Sequence, residues 1–160
     1  MGEPPRDPAA KVHDLAGARR WRASLVGRVV FTNGVFDLVH PGHVDVLLAA
    51  RRSGDALVVG VNSDASVRRL KGPERPVRNE VERAYVLAAF EMVDCVVVFD
   101  SDTPLDLVIA LHPDVLVKGS DYSEATIIGA SQVRGWGGDV HVIPLTPGHS
   151  TTNIIKALRG

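Results

Sequence analysis

The chain has a single cysteine in 160 residues. Cys95 stands in the apolar run Cys95-Val96-Val97-Val98-Phe99, with no histidine or asparagine signature around it. Disulfides within the chain are therefore excluded, a reducing compartment suits it, and the thiol reads as a packed structural group rather than a nucleophile. No apolar run approaches the roughly 20 residues that a membrane span requires. The start, with Pro4, Pro5 and Pro8 among charges, lacks the apolar centre of a signal peptide. A cytoplasmic protein without membrane contact is expected. There is no surplus of charge either: a net charge of −1 and a pI near 6.6 exclude a broad basic surface for nucleic acid polymers or anionic lipid. Also missing are a GxGxxG turn, a nucleophile elbow, a serine or thiol triad and a His/Cys metal cage. Any phosphate-binding charge must be local, and covalent catalysis has no obvious agent.

A chain of this length buries roughly 70% of its extended surface, so a single self-sufficient core is expected. Residues 1–10 read as a disordered tail, and 11–160 as one domain opening with a helix at about 11–26, where Val12, Leu15, Trp21 and Leu25 fall at helical spacing. Strand signals recur at Val29–Asn33, Ala56–Asn62, Asp94–Phe99, Val115–Lys118 and Val140–Pro144. Helical patterns lie between and after them at Pro41–Ser53, Ala65–Leu70, Glu80–Glu91, Pro104–Leu111, Ile128–Trp136 and Ser150–Leu158. Continuously apolar strands alternating with helices predict a Rossmann-like α/β fold, a doubly wound five-stranded parallel sheet covered on both faces. Ligands of such sheets bind beyond the carboxyl ends of the strands, where the strand order reverses.

The loops at that edge carry the chemistry. The first strand runs into Asn33-Gly34-Val35-Phe36-Asp37-Leu38-Val39-His40-Pro41-Gly42-His43. Pro41 suits a first helical turn, the unpaired N–H groups there attract phosphate oxygens, and His40 and His43 project toward the same anion. After the second strand, Asn62-Ser63-Asp64 caps a helix and six cations follow within sixteen residues: Arg68, Arg69, Lys71, Arg75, Arg78 and Arg83. A solvated helix face accounts for most such runs, but the Lys71-Gly72-Pro73 turn lies beside the phosphate pocket, so Lys71 and Arg83 are taken as phosphate partners. After the fourth strand, Lys118-Gly119-Ser120-Asp121-Tyr122 offers either polyol hydrogen bonds or a plain Asx turn. After the fifth, Ser150-Thr151-Thr152 opens the last helix, Ser150 as cap, and forms a second anion cradle facing the first.

Such a set suits transfer of a nucleotidyl group to a phosphate. The attacking phosphate is already an anion, so no general base is needed. What the reaction needs is in-line placement and neutralisation of charge on the departing pyrophosphate. Mg²⁺ binds through one carboxylate together with phosphates and water, and Asp37 is the candidate.

His40-Pro41-Gly42-His43 resembles the HxGH motif of the nucleotidyltransferase superfamily. With Thr32 to Asp37, Val61 to Asp64, Leu116 to Tyr122 and Ser150 to Ile155, the chain is similar to the heptose 1-phosphate adenylyltransferases. The resemblance spans nearly everything after the leading helix, and implies a stand-alone form without the sugar kinase often fused to this activity. It implies transfer of AMP from ATP, with Mg²⁺, to a sugar 1-phosphate, D-glycero-β-D-manno-heptose 1-phosphate foremost, giving ADP-heptose for lipopolysaccharide core synthesis. His40, His43 and Lys71 would be catalytic. Asn33, Gly34, Val35, Phe36, Gly42, Asn62, Arg83, Ser150, Thr151 and Thr152 would bind ATP, and Asp37, Lys118, Asp121 and Tyr122 would lie nearer the acceptor. A homodimer or larger assembly is implied, with Trp21 and the helix around Tyr85 as contacts. Glycerol 3-phosphate cytidylyltransferase-like and pantetheine-phosphate adenylyltransferase-like activities are the alternatives, as is a nucleotide-binding module without turnover. Leu145 stands where cytidylyltransferases carry the arginine of RTEGIST, which argues against CTP.

Overall fold

The computed structural model describes residues 2–120, 123–144, 148 and 150–160. At its centre β2 (Val29–Gly34) and β3 (Ala56–Asn62) pair in parallel over six residues, from Val29 opposite Ala56 to Gly34 opposite Val61. Every residue of β3 is buried, the condition of a strand covered on both faces. The covering is visible in the alternation of β2. Val29 and Phe31 join a cluster with Val58, Val97, Leu107, Leu111 and Val133 on one face; Val30 joins Leu47, Leu57, Val59, Leu87 and Val117 on the other. The first face is roofed by α1 (Leu15–Ala23), α5 (Leu105–Leu111) and α6 (Ala130–Gly135), the second by α2 (Pro41–Arg52) and α4 (Glu80–Ala88).

Four further strands complete the sheet: β1 (Val12–His13), β4 (Cys95–Phe99), β5 (Val115–Gly119) and β6 (Asp139–Ile143). All pairings are parallel and the order is β1-β4-β3-β2-β5-β6. The chain moves outward from β2 through β3 to β4, then returns to the other side of β2 as β5. The crevice between the ends of β2 and β5 is thus the switch point, bridged by the Thr32 hydroxyl donating to the Val117 carbonyl at 2.8 Å. Two helices complete the set, α3 (Asp64–Lys71) after β3 and α7 (Thr151–Arg159) at the end.

Among the described residues the sheet has six strands where five were expected. The extra one lies in the segment read as helix from residue 11: Val12 and His13 pair with Val96 and Val97, and the helix begins only at Leu15. Asp14 sets that start, its carboxylate accepting from the Gly17 amide at 2.7 Å. Two residues are too few to show a strand period. The expectation of a disordered stretch through residue 10 is corrected at its end, where Pro8–Lys11 form a 3-10 turn capped by Asp7. Arg6 pairs with Asp94 at 3.0 Å, and the buried Lys11 ammonium donates to the Phe90 carbonyl. Cys95 is fully buried, and burial pushes its thiol up to about 12, as befits an inert core group.

Candidate active site

A cavity of about 600 Å³ opens at the carboxyl edge. It gathers Asn33, Gly34, Val35, Phe36, Asp37, His40, Gly42, His43, Asn62, Lys71, Lys118, Ser150, Thr151 and Thr152 on one side of the sheet. Of the expected residues that are described, only Arg83 is outside it.

The histidines are fixed by the helix they open. His40 is the N-cap of α2: its Nδ1 accepts from the Gly42 amide at 3.1 Å, and His43 Nδ1 accepts from the His40 amide at 3.3 Å, a reciprocal capping box built from imidazoles. A neutral ring that accepts at Nδ1 carries its proton on Nε2, so the cap selects the tautomer in both rings. The rings stack at 3.8 Å. Burial first, and then electrostatic coupling to the adjoining His40 ring, lowers His43 to about 4. It is a neutral hydrogen-bond donor at physiological pH, not a cation. Phe36 packs against it at 5.1 Å, held at a left-handed φ of 50°, a conformation rarely tolerated by a bulky side chain away from functional sites. Gly34 allows this approach, since a Cβ there would meet the Phe36 ring at 3.0 Å.

The second helix opening meets the first. Thr151 Oγ1 donates to the Leu38 carbonyl at 2.9 Å, tying the start of α7 to the loop between β2 and α2. Ser150 caps the helix, accepting from the Asn153 amide at 2.9 Å. Two of the three hydroxyls thus hold the helix in place, and what the helix opening could offer an anion is chiefly backbone N–H groups with Thr152 beside them.

Two expected ligands are otherwise employed. Arg83 is 1% exposed; its Nε donates to Arg78 O, its Nη1 to Val35 O and Asn62 O, and its Nη2 to Asp64 Oδ1, all at 2.7–2.9 Å. With four of its five N–H donors committed, it clamps the loops after β2 and β3 rather than binding phosphate. Asp37, expected at the metal and the acceptor, is also 1% exposed. Its carboxylate accepts from Arg75 Nε at 2.8 Å and from the Val77 and Arg78 amides at 2.9 and 3.0 Å. Burial pushes its pKa up, but the two amides and Arg75 outweigh that and hold it below the usual range. A carboxylate so enclosed does not fit a Mg²⁺ ligand, and among the described residues no group of three or more His, Cys, Asp or Glu side chains is placed to hold a metal.

Lys118 reaches in from β5, its ammonium donating to the Asn33 carbonyl at 2.9 Å, and burial lowers it to about 8. Beside it Asn33 Oδ1 is buried without a donor among the described residues, an acceptor that a ligand N–H or O–H would satisfy. Arg75, one of the four arginines that the sequence left without a role, lines the cavity in place of Arg83, as do Asp102 and Thr103 after β4. Nothing in their own stretch of sequence marks the last two. Asp121, Tyr122 and Leu145 lie outside the described residues.

Residues 31–157 match the cytidylyltransferase-like family. Among curated relatives, the bifunctional protein HldE of Methylobacillus flagellatus is 56% identical over 144 residues, 90% of this chain and 29% of its own. That of Syntrophotalea carbinolica is 59% identical over 130 residues, 81% of this chain and 26% of its own. The chain spans under a third of the length of these relatives. Among solved structures, a lipopolysaccharide core biosynthesis protein from Thermoplasma volcanium superposes with a TM-score of 0.62 at 28% identity, covering 76% of this chain and 98% of that one. Pantothenate synthetase from Thermus thermophilus shares the fold, with a TM-score of 0.63 at 18% identity over 90% of this chain and 67% of its own.

Proposed function

Since the chain belongs to the cytidylyltransferase-like family, we propose that it transfers AMP from ATP to a sugar 1-phosphate, D-glycero-β-D-manno-heptose 1-phosphate above others, releasing ADP-heptose and pyrophosphate. The observation that carries this reading is the pair of imidazoles locked as Nε2–H tautomers in one cavity with the opening of α7. Neutral donors fixed by backbone amides can follow a phosphate through its transition state without reorganising, which is how preorganised groups lower a barrier. The relatives named HldE and the Thermoplasma lipopolysaccharide core protein support the acceptor class.

In the proposed reaction the triphosphate lies between the openings of α2 and α7. His40 and His43 donate to the α-phosphate, the amides at Thr151 and Thr152 receive the pyrophosphate, and Lys71 adds mobile positive charge. Mg²⁺ carried in with the nucleotide would neutralise phosphate charge. Both substrates are soluble phosphates of the cytoplasm, where the chain would work. We assign it a homodimer or larger assembly through the exposed Val81 and Tyr85 of α4. Pyrophosphate release from ATP or CTP with a panel of acceptors tests the reaction. The expected result is turnover with ATP and the heptose 1-phosphate, and slower turnover with glycerol 3-phosphate or 4′-phosphopantetheine. Turnover preferring CTP and glycerol phosphate would reject the assignment.

A further inference from the structure

The two flanks of the cavity come from different halves of the sheet. Leu70, Lys71 and Arg75 follow β3, and Asp102 and Thr103 follow β4; Lys118 ends β5, and Ser150 to Thr152 follow β6. β2 and the histidines lie between. Transfer to a phosphate is an in-line displacement. An acceptor oxygen gives its electron pair to the α-phosphorus on one side, the bond to the bridging oxygen breaks on the other, and pyrophosphate departs with that pair. With pyrophosphate at the start of α7, the acceptor approaches from the β3 and β4 flank.

That flank holds a guanidinium prepared for an anion. The Arg75 side chain is only 13% exposed, and its Nε is anchored at 2.8 Å to a carboxylate that is itself fully buried. Asp37 is oriented in turn by the Val77 and Arg78 amides, so carboxylate, arginine and loop form one unit. Among the described residues neither Nη group of Arg75 has a protein partner, and the side chain lines the cavity. A planar fork sunk in a cavity wall, held by one edge with its outer donors unpaired, matches two oxygens of a phosphate.

We propose that Arg75, positioned by Asp37, binds the phosphate of the acceptor and aims it at the α-phosphorus, so that the acceptor enters over β3 and β4 rather than over Lys118. This rests on the transfer reaction proposed above. It gives the buried Asp37 a positioning role in place of metal binding.

The test uses the full chain with Arg75→Gln, Arg75→Lys and Asp37→Asn. Pyrophosphate release gives KM for each substrate, and calorimetry gives the affinity for α,β-methylene-ATP separately. Arg75→Gln should raise KM for the sugar phosphate about tenfold to a hundredfold, the span of one charged hydrogen-bonding site, with the ATP analogue bound within twofold of the parent. Arg75→Lys should recover part of that loss. Asp37→Asn should weaken the same parameter, again without moving analogue affinity. An unchanged acceptor KM in Arg75→Gln, or an equal loss for the ATP analogue, would overturn the proposal. If Arg75→Gln melts early, Arg75→Lys decides by the same split. A parent chain that releases no pyrophosphate with any acceptor defeats the reaction instead, and calorimetric binding of the sugar phosphate to parent and Arg75→Gln then still judges Arg75.

Discussion

Replacing Arg83 by methionine distinguishes a phosphate ligand from a clamp. Methionine keeps the length and apolar stem of the side chain but removes every donor. Three carbonyls (Val35, Asn62 and Arg78) and the Asp64 carboxylate then lose a partner at a site that is 1% exposed. Each buried acceptor left unsatisfied costs about 1–3 kcal/mol, and breaking a buried ion pair from one side costs about 3–5 kcal/mol. These terms overlap because Asp64 is partly exposed and can recover water, so the net loss should be roughly 3–5 kcal/mol. Against a total of about 5–15 kcal/mol for an ordinary domain, that leaves little in reserve. Urea unfolding followed by circular dichroism should show the midpoint falling with m unchanged, and the thermal midpoint dropping on the order of 10 °C. Arg83→Lys should recover little, since a point charge cannot span the three directions that the fork serves. If Arg83→Met unfolded at the parent's midpoint and lost only ATP affinity, the clamp would be refuted and the cation would belong to the triphosphate.

Two further predictions follow from the shifted groups. His43 titrates near 4 in the folded chain and near 6.5 unfolded, so between those values the unfolded state binds the extra proton. Stability is therefore lost as pH falls from about 6.5 to 4, by up to roughly 3 kcal/mol, and His43→Asn should flatten that part of the profile in urea melts; a parent profile already flat there would contradict a neutral buried imidazole. Lys118 titrates near 8 when folded against 10.5 unfolded, so its burial weighs against stability below pH 8 and is relieved as pH rises toward 10.5. A phosphate arriving beside it favours the charged form, so nucleotide or acceptor binding near pH 8.5 should take up protons. Calorimetry in buffers of different ionisation enthalpy should show this uptake, and Lys118→Met should abolish it.

How far the sequence could be read depended on how local each cause was. The runs Val29–Thr32 and Leu57–Val61 declare buried parallel strands because the apolar, β-branched residues that fill both faces are themselves the strand. The opening of α2 was legible because cap, proline and histidines act within four residues of one another, and Ser150 signalled α7 for the same reason. Local sequence could not say which cation meets which anion. Asp37 and Arg75 stand 38 residues apart, and Arg83 and Val35 stand 48 apart. Arg75 and Arg83 share the same local character, and only the packing of α4 against β3 buries one while leaving the other at the cavity wall. Asp102 and Thr103 join the site solely because β4 lies beside β3.

The sequence by itself determined the α/β layering, the carboxyl-edge location of the site and the histidine pair, since each follows from side chains acting on neighbours within a turn or a strand. The tertiary structure alone decided that Asp37 is an anchor, that Arg83 is a clamp, that Arg75 lines the cavity and that a sixth strand exists. Those outcomes depend on which groups lose water together, and desolvation is a property of the assembled fold rather than of any stretch of chain.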